Sequence, residues 1–362
     1  MLRRFYAIMG LTRFLAKRAV FLVLTLVLSM YLVVMIANGG GIIDDFLKDS
    51  IRFDLNQRLR NDPAYRRLSP ENQTIVFNNL YNASLEARGL NEPFLQKSLR
   101  YTFDALTLRL GRALEITDSA GSSEVYDIIA ERLPRTILLF TTASIISAVF
   151  GIWLGLRMAR KALSAFDRGM TVISIATVVV PPWVYGILFI LIFAYGMDIF
   201  PAQGWISVPA PVPGTFGYYT DILWHLALPL AAVTVSSFGA WSYTTRNLVM
   251  QIMDEDFVVA ARAKGLPERT VMYRYVLRAA SPPIVTSLVL TLIASWTGAI
   301  ITETVFNWPG LGQLFFQAIQ RFDPPVIVAL TAVYAVLLVI TVFLLDLVYG
   351  LLDPRVKAMR RA

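Results

Sequence analysis

Residues 254–283 read DEDFVVAARAKGLPERTVMYRYVLRAASPP, a polar and basic stretch caught between two long apolar ones. Asp254, Glu255 and Asp256 favour a helix N-terminus, and Arg262 and Lys264 complement the dipole at its other end. Ala260, Ala261 and Ala263 permit close approach of a neighbouring helix. Gly265 can take the positive φ that ends a helix. Pro267, two residues on, cannot extend the helix behind it but suits the start of the next. The spacing therefore predicts helix, glycine turn, helix: a rigid knob too charged for lipid and too regular for a casual connector.

Outward from this knob the chain is apolar. Of its 362 residues 56% are hydrophobic and 16% charged, and mean hydropathy is +0.58. A soluble chain of this length would expose too much apolar surface. Crossing the hydrocarbon takes about 20 apolar residues at about 1.5 Å rise each. Six segments qualify: 19–38, 135–157, 170–197, 222–245, 284–306 and 326–350. The first is expected to be a retained anchor, because its apolar run outlasts a signal peptide and Asn38-Gly39-Gly40-Gly41 lacks a small-residue cleavage pattern.

Lys and Arg set the orientation. They crowd the N-terminus (Arg3, Arg4, Arg13, Lys17, Arg18), the turn after the second span (Arg157, Arg160, Lys161, Arg168), the knob, and the tail (Arg355, Lys357, Arg360, Arg361). Residues 198–221 hold none, and 307–325 hold only Arg321. Both termini are thus expected in the cytoplasm. The expected organisation is an N-terminus with the first span (1–43), an extracytoplasmic insert (44–133), a five-helix core (134–353) that includes the loop 254–283, and a tail (354–362). Long translocated segments escape the charge rule, so the mixed charges of the insert do not oppose this. Phe94, Leu95, Leu99, Phe103, Leu106, Leu108 and Leu110 recur at helical spacing, which predicts a mainly helical cap. The fold class is all-α membrane protein.

Several chemistries are absent. With no cysteine and one histidine, His225, a disulfide framework, a thiolate metal site and a histidine relay are all excluded or starved. No phosphate-binding G-x-x-x-x-G-K-[ST] loop, G-x-S-x-G elbow or H-E-x-x-H occurs. Intramembrane acids are few. Glu303 is expected near the outer end of the fifth span, satisfied by loop carbonyls and water, and Asp346 near the inner end of the sixth. The two halves are not repeats of each other, and six spans are few for a self-contained carrier. This points to half of a pore that takes its energy from elsewhere.

The string Asp256-Phe257 through Ala261-Arg262-Ala263-Lys264-Gly265-Leu266 resembles the coupling loop of bacterial and archaeal ABC importer permeases, in their peptide branch. The Glu that names the loop in other branches is Val259 here. Ala130-Glu131-Arg132-Leu133-Pro134, Pro181-Pro182-Trp183, Phe200-Pro201, the run Glu303–Gly312 (ETVFNWPGLG) and Leu352-Asp353-Pro354-Arg355 fit the same branch. The resemblance covers about residues 91–362; residues 38–90 have no counterpart in it. It implies the first of two paired permease subunits, in a prokaryotic inner membrane. Its partners would be a second homologous permease, two cytoplasmic ATPase subunits and an extracytoplasmic solute-binding protein. This chain would bind no cofactor and hydrolyse nothing, since ATP and Mg belong to the ATPase subunits. Asp256, Phe257, Ala260, Ala261, Arg262, Ala263, Lys264, Gly265 and Leu266 would form the coupling loop, with Phe257, Ala261, Arg262 and Gly265 in the ATPase groove.

The translocation path is less legible. Pro181-Pro182 removes two helical donors and should kink or break the third span, as a hinge, as path lining, or as a packing kink. Ser237, Trp241 and Trp296, with Ser236, Ser295 and Thr297, could line a cavity, or serve helix packing. Cargo is expected to be peptide, with an oligosaccharide or a nickel chelate as the alternative. An ATP-independent channel or a proton-coupled carrier, relying on Glu303 or Asp346, is the alternative of another class; a non-transporting scaffold is a third.

Overall fold

Long apolar runs without internal caps become long helices, and the turn chemistry between them decides where each one stops. The computed structural model describes residues 17–352 apart from 33, 36–41, 88 and 108. The basic residues before Lys17, the Asn38–Gly41 stretch, Leu108, the side chain of Asp346 and the tail from Asp353 lie outside the described residues. What is described is helical, with one isolated antiparallel bridge between Arg112 and Glu124.

Helix α1 covers 17–32. The insert follows as α2 (Ile42–Asn61), α3 (Pro63–Arg66), α4 (Pro70–Ala87) and α5 (Phe94–Leu106). Its small core is Ile51, Leu85 and Leu90, and Lys97 of α5 is paired with Asp44 of α2. Helical spacing continues past Leu106 in the sequence, but the helix ends there and Leu110 lies beyond it. The loop that follows is clasped to the far side of the chain. The buried carboxylate of Asp323 accepts the backbone N–H groups of Leu114, Glu115 and Ile116 at 2.9, 3.0 and 3.3 Å.

The membrane core is built from α6 (Val125–Arg160), α7 (Ala165–Val179), α8 (Pro182–Phe189, continued as a π-helix over Ile190–Gly196), α9 (Phe216–Met253), α10 (Asp256–Ala263), α11 (Glu268–Thr270), α12 (Leu277–Ala294), α13 (Ile300–Val305), α14 (Leu311–Gln320) and α15 (Pro324–Leu352). A π-turn over Val271–Val276 joins α11 to α12 without a break. Four helices among the described residues are long and apolar enough to cross a membrane: Val125–Arg160, Phe216–Met253, Glu268–Thr297 and Pro324–Leu344. They contain the second and fourth expected spans whole and the sixth as far as Leu344, while the first, 19–38, lies partly outside the described residues.

Two expected spans come out differently. The third is no single helix, because α7 stops at Val179 and α8 restarts at Pro182, bent by 95°. Pro181 is extended there, with φ −61° and ψ 150°, since neither proline can donate into a helix. The fifth ends nine residues early. Its helix closes in a 3-10 turn over Ser295–Thr297, Gly298 takes φ +71°, and Glu303 falls on the separate helix α13. Hydropathy registers apolar length and is blind to a single left-handed glycine.

The bundle is centred on α6 against α9. A Cβ at Gly151 would lie 2.4 Å from the Cβ of Trp241, and one at Gly155 would lie 2.6 Å from the carbonyl oxygen of Ser242. Small residues here let two backbones nearly touch, the usual device where lipid supplies no hydrophobic drive between helices.

Candidate functional site

At one end of the bundle α9 runs into α10 through the turn Asp254-Glu255, and the helix beginning at Glu268 runs on to Thr297. The knob is therefore fused at both sides to long helices. Val258 and Ala261 are buried at 0% and 3%, packed with Leu156, Val249, Val271, Met272 and Val276. These two residues hold α10 on the bundle and leave its other face free. Phe257 and Val259 are 44% and 54% exposed, and Asp256, Ala260, Ala263, Lys264 and Gly265 are exposed beside them. Leu266 is half-buried and packs on the same core.

Local chemistry closes the knob as the spacing predicts. Lys264 N–H donates to Ala260 O at 3.1 Å and Gly265 N–H to Arg262 O at 2.9 Å. Gly265 has φ +74° and a Cβ there would meet nothing within 4 Å. One expectation changes. Ala261 is buried in the chain's own core, because the one-turn spacing from Val258 puts both on the inner face. Arg262 is turned across the glycine turn onto Glu268, donating at 3.0 and 3.3 Å. An exposed pair of this kind contributes about 0–1 kcal/mol, and serves mainly to fix the angle between the two arms.

A cleft of about 270 Å³ flanks the knob, walled by Trp153, Arg157, Arg160, Arg269 and Tyr273. Arg157 lies over the Trp153 ring at 4.8 Å. The knob thus stands beside a strongly basic wall.

Sequence reading missed a second feature of this end. Asp167, fully buried at the first turn of α7, accepts two hydrogen bonds from Arg246 of α9 at 2.5 and 2.6 Å, and the N–H of Leu163 at 2.9 Å. It ties the first arm of the broken span to the helix that leads into the knob. The available signal was that Asp167 is the one acid among the cations of 157–168.

The path candidates are not brought together. Trp241 packs beside the knob's core, whereas Trp296 packs with Leu330 and Val333 of α15. Ser237 is half-buried on α9. Pro181 and Pro182 mark the break between α7 and α8, and Trp296 sits in the 3-10 turn that closes the fifth span.

Glu303 is fully buried and satisfied by donors, not by carbonyls, which like a carboxylate only accept. Thr136 donates to Oε1 at 3.0 Å and the Gln313 N–H to Oε2 at 2.9 Å. Thr136 Oγ1 in turn accepts the Leu311 N–H at 2.7 Å, and Trp308 Nε1 donates to Arg135 O at 3.0 Å. The run 303–312 is thus a polar knot that clasps the start of α6.

The chain is similar in sequence to known proteins. The chain is 28% identical over 273 residues to the oligopeptide transport system permease protein AppB of Bacillus subtilis (strain 168), covering 75% of this chain and 84% of that one. It is 28% identical over 328 residues to the di/tripeptide transport system permease protein DppB of Pseudomonas aeruginosa (strain UCBPP-PA14), covering 86% and 94%. It is 31% identical over 276 residues to the peptidoglycan transport system permease protein YejB of Agrobacterium fabrum (strain C58 / ATCC 33970), covering 75% and 74%. Among solved structures, a chain of the MetNI methionine ABC transporter is 17% identical with a TM-score of 0.48, covering 66% of this chain and 98% of that one. Residues 151–358, more than half of the sequence and spanning the knob, match the binding-protein-dependent transport system inner membrane components, and the chain belongs to that family.

Proposed function

We propose that this chain forms half of the translocation path of an ATP-driven importer, for peptides delivered by an extracytoplasmic solute-binding protein. Its six spans, with both termini in the cytoplasm, pair with a second homologous permease, and two ATPase subunits that bind ATP and Mg engage the knobs. The observation that carries this reading is the split of α10. Val258 and Ala261 root it in the bundle, while Phe257 and Val259 are presented outward on a helix too short to need them there. Exposed apolar side chains on a rooted knob fit a groove in a partner better than they fit water.

The mechanism follows from rigidity. When the ATPase pair closes, it draws the two knobs together. Each knob moves α9 and the helix 268–297 as levers, and α9 carries α7 through Arg246 and Asp167. The break at Pro181-Pro182 lets α7 swing against α8, so that the cavity changes the side it faces. ATP binding supplies the difference in affinity between the two states. Peptide cargo is supported by the oligopeptide and di/tripeptide names of the relatives.

Purification through a tag on this chain, followed by mass spectrometry of its partners, tests the assembly. Recovery of a second permease and two ATPase chains is the expected result. A chain that comes down alone and conducts ions without ATP would overturn the reading in favour of a channel.

A further inference from the structure

Helix α5 of the insert is built inside out. Leu95, Leu99, Phe103 and Leu106 follow one another at steps of four, four and three residues, a single stripe along the helix. In a helix packed onto a core in water this stripe would face inward. Here Leu95, Leu99 and Phe103 are each 59% exposed, while Lys97, Ser98 and Thr102 are buried at 3%, 0% and 4%. The buried ammonium of Lys97 is answered by Asp44 of α2, so the inward polar face is held by a specific partner.

The far end of α5 shows where the stripe lies. Ala105 and Leu106 pack with Leu26 and Met30 of α1 and with Ala332 and Ala335 of α15. Ala332 stands eight residues into α15, about 12 Å along a helix apolar enough to cross the membrane. On α1 the side chains of Val20, Phe21, Leu24 and Leu28 are 60–62% exposed, a surface fit for hydrocarbon. The stripe of α5 therefore continues the apolar surface of the helices it packs on. Its 13 residues reach about 20 Å, too short to cross, which leaves a helix lying in the boundary region with its apolar side in acyl chains.

We propose that α5 is embedded in the bilayer, its Leu95–Leu99–Phe103 stripe against lipid acyl chains, and that it moors the insert to the membrane. That the leaflet is the outer one rests on the topology proposed above; contact with lipid does not. A solute-binding protein or the second permease covering the stripe are the competing occupants.

The chain has no cysteine, so a nitroxide can be placed at single sites: Leu99→Cys, Phe103→Cys and, as a reference on exposed α4, Glu71→Cys. The complete complex in lipid nanodiscs is compared for collision with oxygen, which concentrates in hydrocarbon, and with a water-soluble nickel chelate. Leu95→Cys, one turn back on the same stripe, replaces either α5 variant that fails to assemble. The expected result is oxygen-dominated relaxation at 99 and 103, reversed to nickel-dominated at 71. Nickel-dominated relaxation at 99 and 103 would place the stripe in water and overturn the proposal. Low accessibility to both reagents would place it under a protein partner and overturn it equally. ATP-driven uptake measured on the same samples keeps failure of the transport reading distinct from failure of this one.

Discussion

At the scale of single residues, two glycines make opposite demands. Gly265 has open space around it but φ +74°, so a substituent is limited by its own backbone, at about 1–2 kcal/mol, and by whatever docks on the knob. Gly310 has φ −104°, yet a Cβ there would stand 2.4 Å from Thr136 Oγ1 and 2.5 Å from Glu303 Oε2. Gly310→Ala should therefore destabilise the knot by about 1–3 kcal/mol, read as a lowered unfolding temperature of the purified complex. An unchanged temperature would mean that the knot has slack. Phe257 is the residue proposed to enter the partner's groove. Removing a buried phenyl forfeits about 1.5–3 kcal/mol, so Phe257→Ala should weaken recovery of the ATPase subunits about tenfold or more while the chain stays in the membrane. Full recovery would show that Phe257 remains in water in the assembly.

At the scale of elements, the tie between α7 and α9 carries the next prediction. Removing one partner of a buried ion pair leaves the other uncompensated, at about 3–5 kcal/mol. Asp167→Asn should lower the unfolding temperature sharply, and Asp167→Asn with Arg246→Gln should recover most of it. Additive losses in that cycle would show that the two side chains do not act as a pair. The tie was hidden because its partners stand 79 residues apart, and hydropathy carries no pairing information. By contrast the knob could be read from sequence, since its helix ends, glycine turn and proline restart are local chemistry. So could the break at Pro181-Pro182, though not its 95° bend, which depends on what α7 and α8 pack against. Which face of α10 points inward was misjudged at Ala261, because an alanine-rich helix offers little amphipathic contrast. For α5 the stripe was visible, but its direction was not, since the same spacing serves a core in water and a surface in lipid.

At the scale of the whole molecule, the proposed mechanism is a lever system rather than a self-powered carrier. Glu303 is locked by Thr136 and Gln313 inside a knot, where it fastens α13 and α14 to α6. The chain's basic end carries the knob, and short turns at Asp254-Glu255 and Gly265 join it on either side to a long helix, so a partner that grips it would act on both. The most direct test is uptake of labelled peptide into proteoliposomes holding the complete complex, with and without ATP, for the natural chain and for Gly265→Val. The expected result is uptake that needs ATP and is lost in the variant while all subunits remain assembled. Uptake undiminished by Gly265→Val, or equal without ATP, would contradict it.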